Sequence, residues 1–123
     1  MAQTVLVTGG AGYIGSHACK ALSRVGFLPV TFDNLMTGWR EAVQFGPFEL
    51  GDLRDADRIG QVIAEYQPIA VLHFASLSDV GASTRSPAAY WDNNVIGTLR
   101  LLEAMTAARV PHLVFSSTCA VYG

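Results

Sequence analysis

The chain predicts an α/β fold, a doubly wound parallel sheet with helices on both faces, and three observations carry that expectation. Apolar runs alternate with amphipathic segments in the βαβα manner along its whole length. The first run, Thr4-Val5-Leu6-Val7-Thr8, breaks into Gly9, Gly10, Gly12 and Gly15 before helix-forming sequence resumes. A second apolar run, Phe27 to Phe32, ends on a carboxylate, Asp33.

The elements follow in order. Residues 3–8 form the first strand, and a helix over 13–25 is stopped by Gly26 in the C-terminal glycine position. Strand two spans 28–33. A polar loop through Asn34, Thr37 and Gly38 leads to a helical turn near 40–43 and a short strand over 47–51. Asp55 is placed as an N-cap, and Ile59, Val62, Ile63 and Tyr66 recur at helical spacing, so 56–66 is an amphipathic helix that ends before Pro68. Residues 69–74 make a continuous apolar strand suited to cover on both faces. A long helix is expected over 87–108, with Val95, Leu99, Leu102 and Met105 on one stripe; Pro111 then resets the chain into strand five, 112–117. Right-handed crossovers give the order 3-2-1-4-5.

Composition bounds the function. With 123 residues the chain fits one domain, and 50% hydrophobic against 15% charged residues suits a core-rich unit. Its net charge is −2 and its eight basic residues are scattered from Lys20 to Arg109, which argues against a nucleic acid or an anionic membrane as partner. No leader or membrane span is read in the sequence, so a cytoplasmic location is the expectation. Cys19 and Cys119 read as small buried hydrophobes rather than a disulfide or metal pair, and His17, His73 and His112 fall singly, without metal-ligand spacing.

The glycine ladder satisfies both spacings of the dinucleotide fingerprint: Gly10, Gly12 and Gly15 in one, Gly9, Gly12 and Gly15 in the other. One glycine takes a backbone conformation closed to side chains, one lets the main chain touch pyrophosphate, and Gly15 allows close helix packing. The helix that opens there aims its free N–H groups and positive dipole end at the phosphates. Asp33 lies close to the ~20-residue offset at which a carboxylate meets the adenosine ribose, and it accepts from a free 2′-hydroxyl but repels a 2′-phosphate. NAD is therefore favoured over NADP, with Arg40, read as a solvated loop charge, the one nearby cation.

Ligands of such a sheet bind beyond the C-terminal strand ends, at the switch point between strands one and four. Collected there are the glycine turn, Asp33 and Asn34, Gly51-Asp52-Leu53, Phe74-Ala75-Ser76 and Ser116-Ser117-Thr118, and this reading defines a Rossmann-type domain. Asp52 suits the exocyclic amine of adenine and equally a cap shared with Asp55. Ser76 and Thr118 suit a ligand and equally the free backbone groups where strands end.

The blocks Val5 to Gly15, Asp33-Asn34-Leu35, Gly51 to Asp55, His73-Phe74-Ala75, Tyr90 to Val95 with Gly97-Thr98, and Phe115 to Thr118 with Val121-Tyr122-Gly123 resemble the extended short-chain dehydrogenase/reductases, nearest their sugar-nucleotide 4-epimerases. The resemblance covers the whole chain. It implies NAD as cofactor and interconversion of UDP-glucose and UDP-galactose through a 4-keto sugar, in galactose metabolism. It places the backbone of Tyr13 and Ile14 on the pyrophosphate, Asp33 on the ribose, Asp52 and Leu53 on the adenine, Phe74 to Ser78 on the nicotinamide half, and Asn93 in support. Asn34, Thr37 and Gly38 fall in with these cofactor contacts, and Thr118 stands where the family carries the Ser or Thr that hydrogen-bonds the sugar 4-oxygen. Many relatives carry a Lys where Ser78 stands, and the loop Met36-Thr37-Gly38 departs from the commonest family version.

The family's proton-abstracting Tyr precedes a Lys by four residues, and no such pair exists here: the only lysine is Lys20, with Ser16 four positions earlier. The expectation is an N-terminal, cofactor-binding piece, truncated after the fifth strand and without the sugar-nucleotide lobe, that is inactive alone. Helices near 90–108 often dimerise relatives, which makes a homodimer an expectation, although Trp91 and Leu101 are equally core candidates. A dehydratase or decarboxylase of the same family is the alternative; dehydratases carry Asp-Glu directly after the Thr, whereas Cys119-Ala120 follow Thr118. A non-catalytic NAD-binding module would share the glycine turn and Asp33 but has no reason to keep Thr118.

Overall fold

Val5 and Val7 point to one side of strand β1 (Thr4–Thr8) and Leu6 to the other, and all three are buried, so both faces of the sheet are covered. The structure, a computed structural model, describes residues 2–36, 38–75, 88 and 92–115. In it β1 is followed by α1 (Tyr13–Arg24), β2 (Leu28–Asp33), a 3₁₀ turn (Arg40–Ala42), β3 (Phe48–Leu50), α2 (Ala56–Tyr66) and β4 (Ala70–His73). A π-helical turn (Asp92–Ile96) runs into α3 (Gly97–Ala108), and β5 (His112–Phe115) closes the series. All strand pairs are parallel, in the order β3-β2-β1-β4-β5 that the sequence predicts.

One face packs Leu6, Val30, Phe32 and Val71 against Ile59, Val62 and Ile63 of α2 and Leu101 and Met105 of α3. The opposite face packs Val5 and Val7 against Cys19 of α1, with Leu22, Phe27 and Leu72 around them. Burial raises the Cys19 thiol pKa, in keeping with its reading as a small hydrophobe. Asp55 caps α2 by accepting from the Arg58 N–H at 3.1 Å, and Gln67 ends it in the left-handed region at φ 46°. Gly26, at φ +96°, follows α1 as predicted.

The last helix departs from expectation. The predicted stripe of Val95, Leu99, Leu102 and Met105 is not the buried face: Leu99 and Leu102 are 47% and 39% exposed, while Gly97, Leu101 and Met105 are buried. Leu101 and Leu102 both stand at helical spacing from Met105, and packing against α2 selects the face that carries Leu101; the π turn over Asp92–Ile96 sets Val95 off that register. A Cβ on Gly97 would lie 3.3 Å from Leu53, so α3 meets α2's approach at that glycine and buries every fourth residue from there.

The register aligns the site. Thr8 pairs with Phe32 on one side and His73 on the other, so Gly9, Asp33 and Phe74 leave the sheet together at its C-terminal edge.

Candidate functional site

Gly9 starts the phosphate turn at φ +74°, and a Cβ there would meet the Phe74 carbonyl carbon and oxygen at 2.7 Å. Only glycine fits that conformation and that approach. A Cβ on Gly15 would strike the Gly9 carbonyl oxygen, so Gly15 lets α1 close on the turn itself rather than on the strand. Gly12 is the residue before α1; it supplies no side-chain cap, and the first turn of α1 holds no acidic residue. The N–H groups of Tyr13 and Ile14 thus stand at an uncapped, uncompensated positive helix end, with Tyr13 81% and Ile14 56% exposed. These donors fit an anionic pyrophosphate.

Asp33 lies beneath this turn, 8% exposed. Its Oδ2 accepts from the Ala11 N–H at 3.0 Å and its Oδ1 from the Leu35 N–H at 2.8 Å. A carboxylate has about four acceptor sites, so two are left for a diol. The loop beyond Asp33 folds back over the glycines: the Trp39 N–H donates to the Ala11 carbonyl at 3.0 Å, and a Cβ on Gly38 would lie 2.8 Å from that carbonyl's carbon.

Asn34 and Asp52 meet across the β2 and β3 ends. Asn34 Nδ2 donates to Asp52 Oδ2 at 3.3 Å, while Asn34 Oδ1 accepts from the Met36 N–H at 2.9 Å. Arg54 grips both Asp52 oxygens, at 2.9 Å through Nε and 2.7 Å through Nη2, and holds the carboxyl well below the usual carboxylate range. Both carboxylates serve the approach to α2: the Asp55 side chain caps the helix, while Asp52 Oδ1 accepts from the Arg54 N–H at 2.9 Å and the Asp52 carbonyl from the Asp55 N–H at 3.0 Å. Leu53 is 6% exposed and belongs to the core, so its backbone is what it offers a ligand.

Phe74 and Ala75 are half-buried beyond β4, and the Phe74 N–H donates to the Thr8 carbonyl at 2.9 Å. Thr37, Ser76, Ser78, the side chain of Asn93, and Thr118 lie outside the described residues. Among the described residues no group of three or more His, Cys, Asp or Glu gathers as a metal site, and no helix is long and apolar enough to cross a membrane.

Sequence reasoning gave His73 no role of its own beyond a place in the block His73-Phe74-Ala75. That histidine is 1% exposed at the end of β4, and its Nδ1 lies 2.6 Å from Thr8 Oγ1 and its Nε2 3.1 Å from Thr98 Oγ1. Burial pushes its pKa down to about 4. The available signal was a polar ring at the end of an otherwise apolar strand, paired in register with a threonine.

A parallel sheet with a glycine turn, an uncapped helix end and a carboxylate at its C-terminal edge defines a Rossmann-type nucleotide-binding domain. Residues 5–123 match the model of the NAD dependent epimerase/dehydratase family, and the chain belongs to that family. It is 55% identical over 98% of its length to UDP-glucose 4-epimerase of Rhizobium leguminosarum bv. trifolii, covering 37% of that protein. With the Streptomyces lividans UDP-glucose 4-epimerase it shares 50% identity over all of its length and 38% of the relative's. The crystal structure of UDP-glucose 4-epimerase from Brucella ovis in complex with NAD superposes with a TM-score of 0.94 at 48% identity, over 99% of this chain and 38% of that one. The chain therefore spans a little over a third of the relatives it matches.

Proposed function

We propose that the chain is the NAD-binding domain, residues 1–123, of a UDP-glucose 4-epimerase. The observation that carries this reading is the phosphate turn on its carboxylate: Gly9 at φ +74°, an uncapped α1 end, and Asp33 with acceptor sites to spare beneath them. High identity to UDP-glucose 4-epimerases supports the choice within the family. NAD would supply the hydride acceptor for sugar C4. The Tyr13 and Ile14 N–H groups hold its pyrophosphate, with Gly12 and Gly15 shaping the turn, and Asp33 takes the adenosine ribose diol. Asp52, kept ionised by Arg54, accepts from the adenine amine beside the Leu53 backbone; Asn34, Thr37 and Gly38 close that end.

Phe74, Ala75, Ser76 and Ser78 border the nicotinamide half, Asn93 supports it, and Thr118 hydrogen-bonds the sugar 4-oxygen. A UDP-sugar is the partner of the complete protein, homodimerisation through the helix at 90–108 its assembly, and the cytoplasm its location.

Calorimetric titration of the protein that carries this chain tests the cofactor: NAD should bind more tightly than NADP, because Asp33 repels a 2′-phosphate, and equal affinity overturns the assignment. The 123 residues contain no Tyr-x-x-x-Lys, so the isolated chain should not turn over UDP-galactose in a coupled assay. Measurable turnover would refute that.

A further inference from the structure

We propose that His73 is a positioning residue that ties the phosphate turn to the π turn across the β1–β4 switch point; the inference rests on the cofactor reading above. Four groups form one chain. The Thr98 hydroxyl lies 2.6 Å from the Asn94 carbonyl oxygen, which can only accept, so its proton is committed there. Towards His73 Nε2, 3.1 Å away, that hydroxyl can then only accept, and Nε2 carries the hydrogen. A neutral imidazole has one N–H, so Nδ1 is bare and Thr8, at 2.6 Å, donates to it. The ring's protonation and tautomer are both set by its neighbours.

One end of this chain lies at the phosphate turn, and the other reaches the π turn that carries Asn93, which the proposed function places in support of the cofactor. Thr8 immediately precedes Gly9, whose backbone is pressed against Phe74 and Ala75, the residues after His73. Asn94 and Thr98 belong to the π turn and the first turn of α3, where Asp92–Ile96 is wider than an α-helix. A π turn replaces the regular i to i−4 bonds with i to i−5 ones, and the contact between His73 and Thr98 anchors the end of that turn to β4. Two apolar side chains would fill Thr8 and His73 at lower desolvation cost, since both polar groups are fully buried. What the polar pair adds is direction: it fixes the π turn at one height above the sheet.

The test uses the protein that carries this chain, with Thr98→Val, Thr98→Ser, His73→Asn and His73→Gln. Thr98→Val removes the acceptor and Thr98→Ser keeps it; Gln places an amide N–H near the Nε2 position, whereas the shorter Asn does not. Amide exchange across 92–98 in the NAD-free protein should rise in Thr98→Val and His73→Asn and stay near wild type in the other two. NAD should bind about tenfold more weakly to the first pair only, as expected from one lost buried hydrogen bond. In ¹⁵N NMR, His73 should carry its proton on Nε2. Unchanged exchange in Thr98→Val, or altered exchange with wild-type NAD affinity, overturns the positioning role and leaves the cofactor reading intact. Failure of the wild-type protein to bind NAD overturns the cofactor reading, whatever the exchange shows, and with it the link from this tie to cofactor binding.

Discussion

Asp33 uses about half of its acceptor capacity on the backbone N–H groups of Ala11 and Leu35, so it both shapes the glycine turn and faces its ligand. An Asp33→Ala variant would release both N–H groups as well as the ribose, and NAD affinity should drop by roughly tenfold or more in calorimetry. An unchanged affinity would refute the ribose assignment. Gly15→Ala pits two effects against each other: alanine gains up to about 1 kcal/mol of helix propensity, but its Cβ would collide with the Gly9 carbonyl. Backbone has nowhere to yield there, so the clash should win, with a net loss of about 1–3 kcal/mol in urea unfolding. The phosphate turn was legible because its glycines recur at a fixed local spacing; that Gly9 also admits the Phe74 backbone was not, since that contact joins residues far apart in the chain. The roles of Asn34 and Asp52 were less so, since their pairing joins residues on different strands and depends on which way Arg54 folds.

At the scale of elements, α3 separates what periodicity can show from what it cannot. A stripe read at helical spacing misassigned Leu99 and Leu102, because Leu101 and Leu102 both stand at helical spacing from Met105 and only packing against α2 decides which of them is buried. Leu101→Ala should cost about 2–5 kcal/mol, whereas Leu102→Ala, on the half-exposed side, should cost far less; comparable losses would restore the original stripe. The tie between β1, β4 and α3 adds a pH dependence. Native His73 has a pKa near 4 against 6.5 for the ordinary side chain, so the unfolded chain takes up a proton that the native ring refuses. Stability is full above pH 6.5, falls as pH drops, and levels off near pH 4, with a total loss of up to ~3 kcal/mol. Melting temperatures across that window should fall in the wild type and flatten in His73→Gln. Asp52 and Glu49, whose pKa values are lowered, contribute stability that is lost only as pH falls below the ordinary carboxylate range, which keeps the two effects apart.

For the molecule as a whole, strand order followed from alternation, the single hand of βαβ crossovers and the glycine turn that marks strand one of a dinucleotide-binding sheet. How the outermost strand is finished did not. β3 has three residues and, among the described residues, pairs only with β2, leaving one side of its backbone facing outward. Arg58 reaches back from α2 to that strand: its Nε donates to the Leu50 carbonyl at 3.0 Å, and its Nη2 meets Glu49 at 2.8 Å, where Tyr66 also donates. A carbonyl already held by a guanidinium is a poor template for a stray strand. A newly made chain that has paired its sheet but not yet found its remaining partners is thereby shielded from adding to its neighbours, and Arg58→Ala should show this as increased light scattering during refolding.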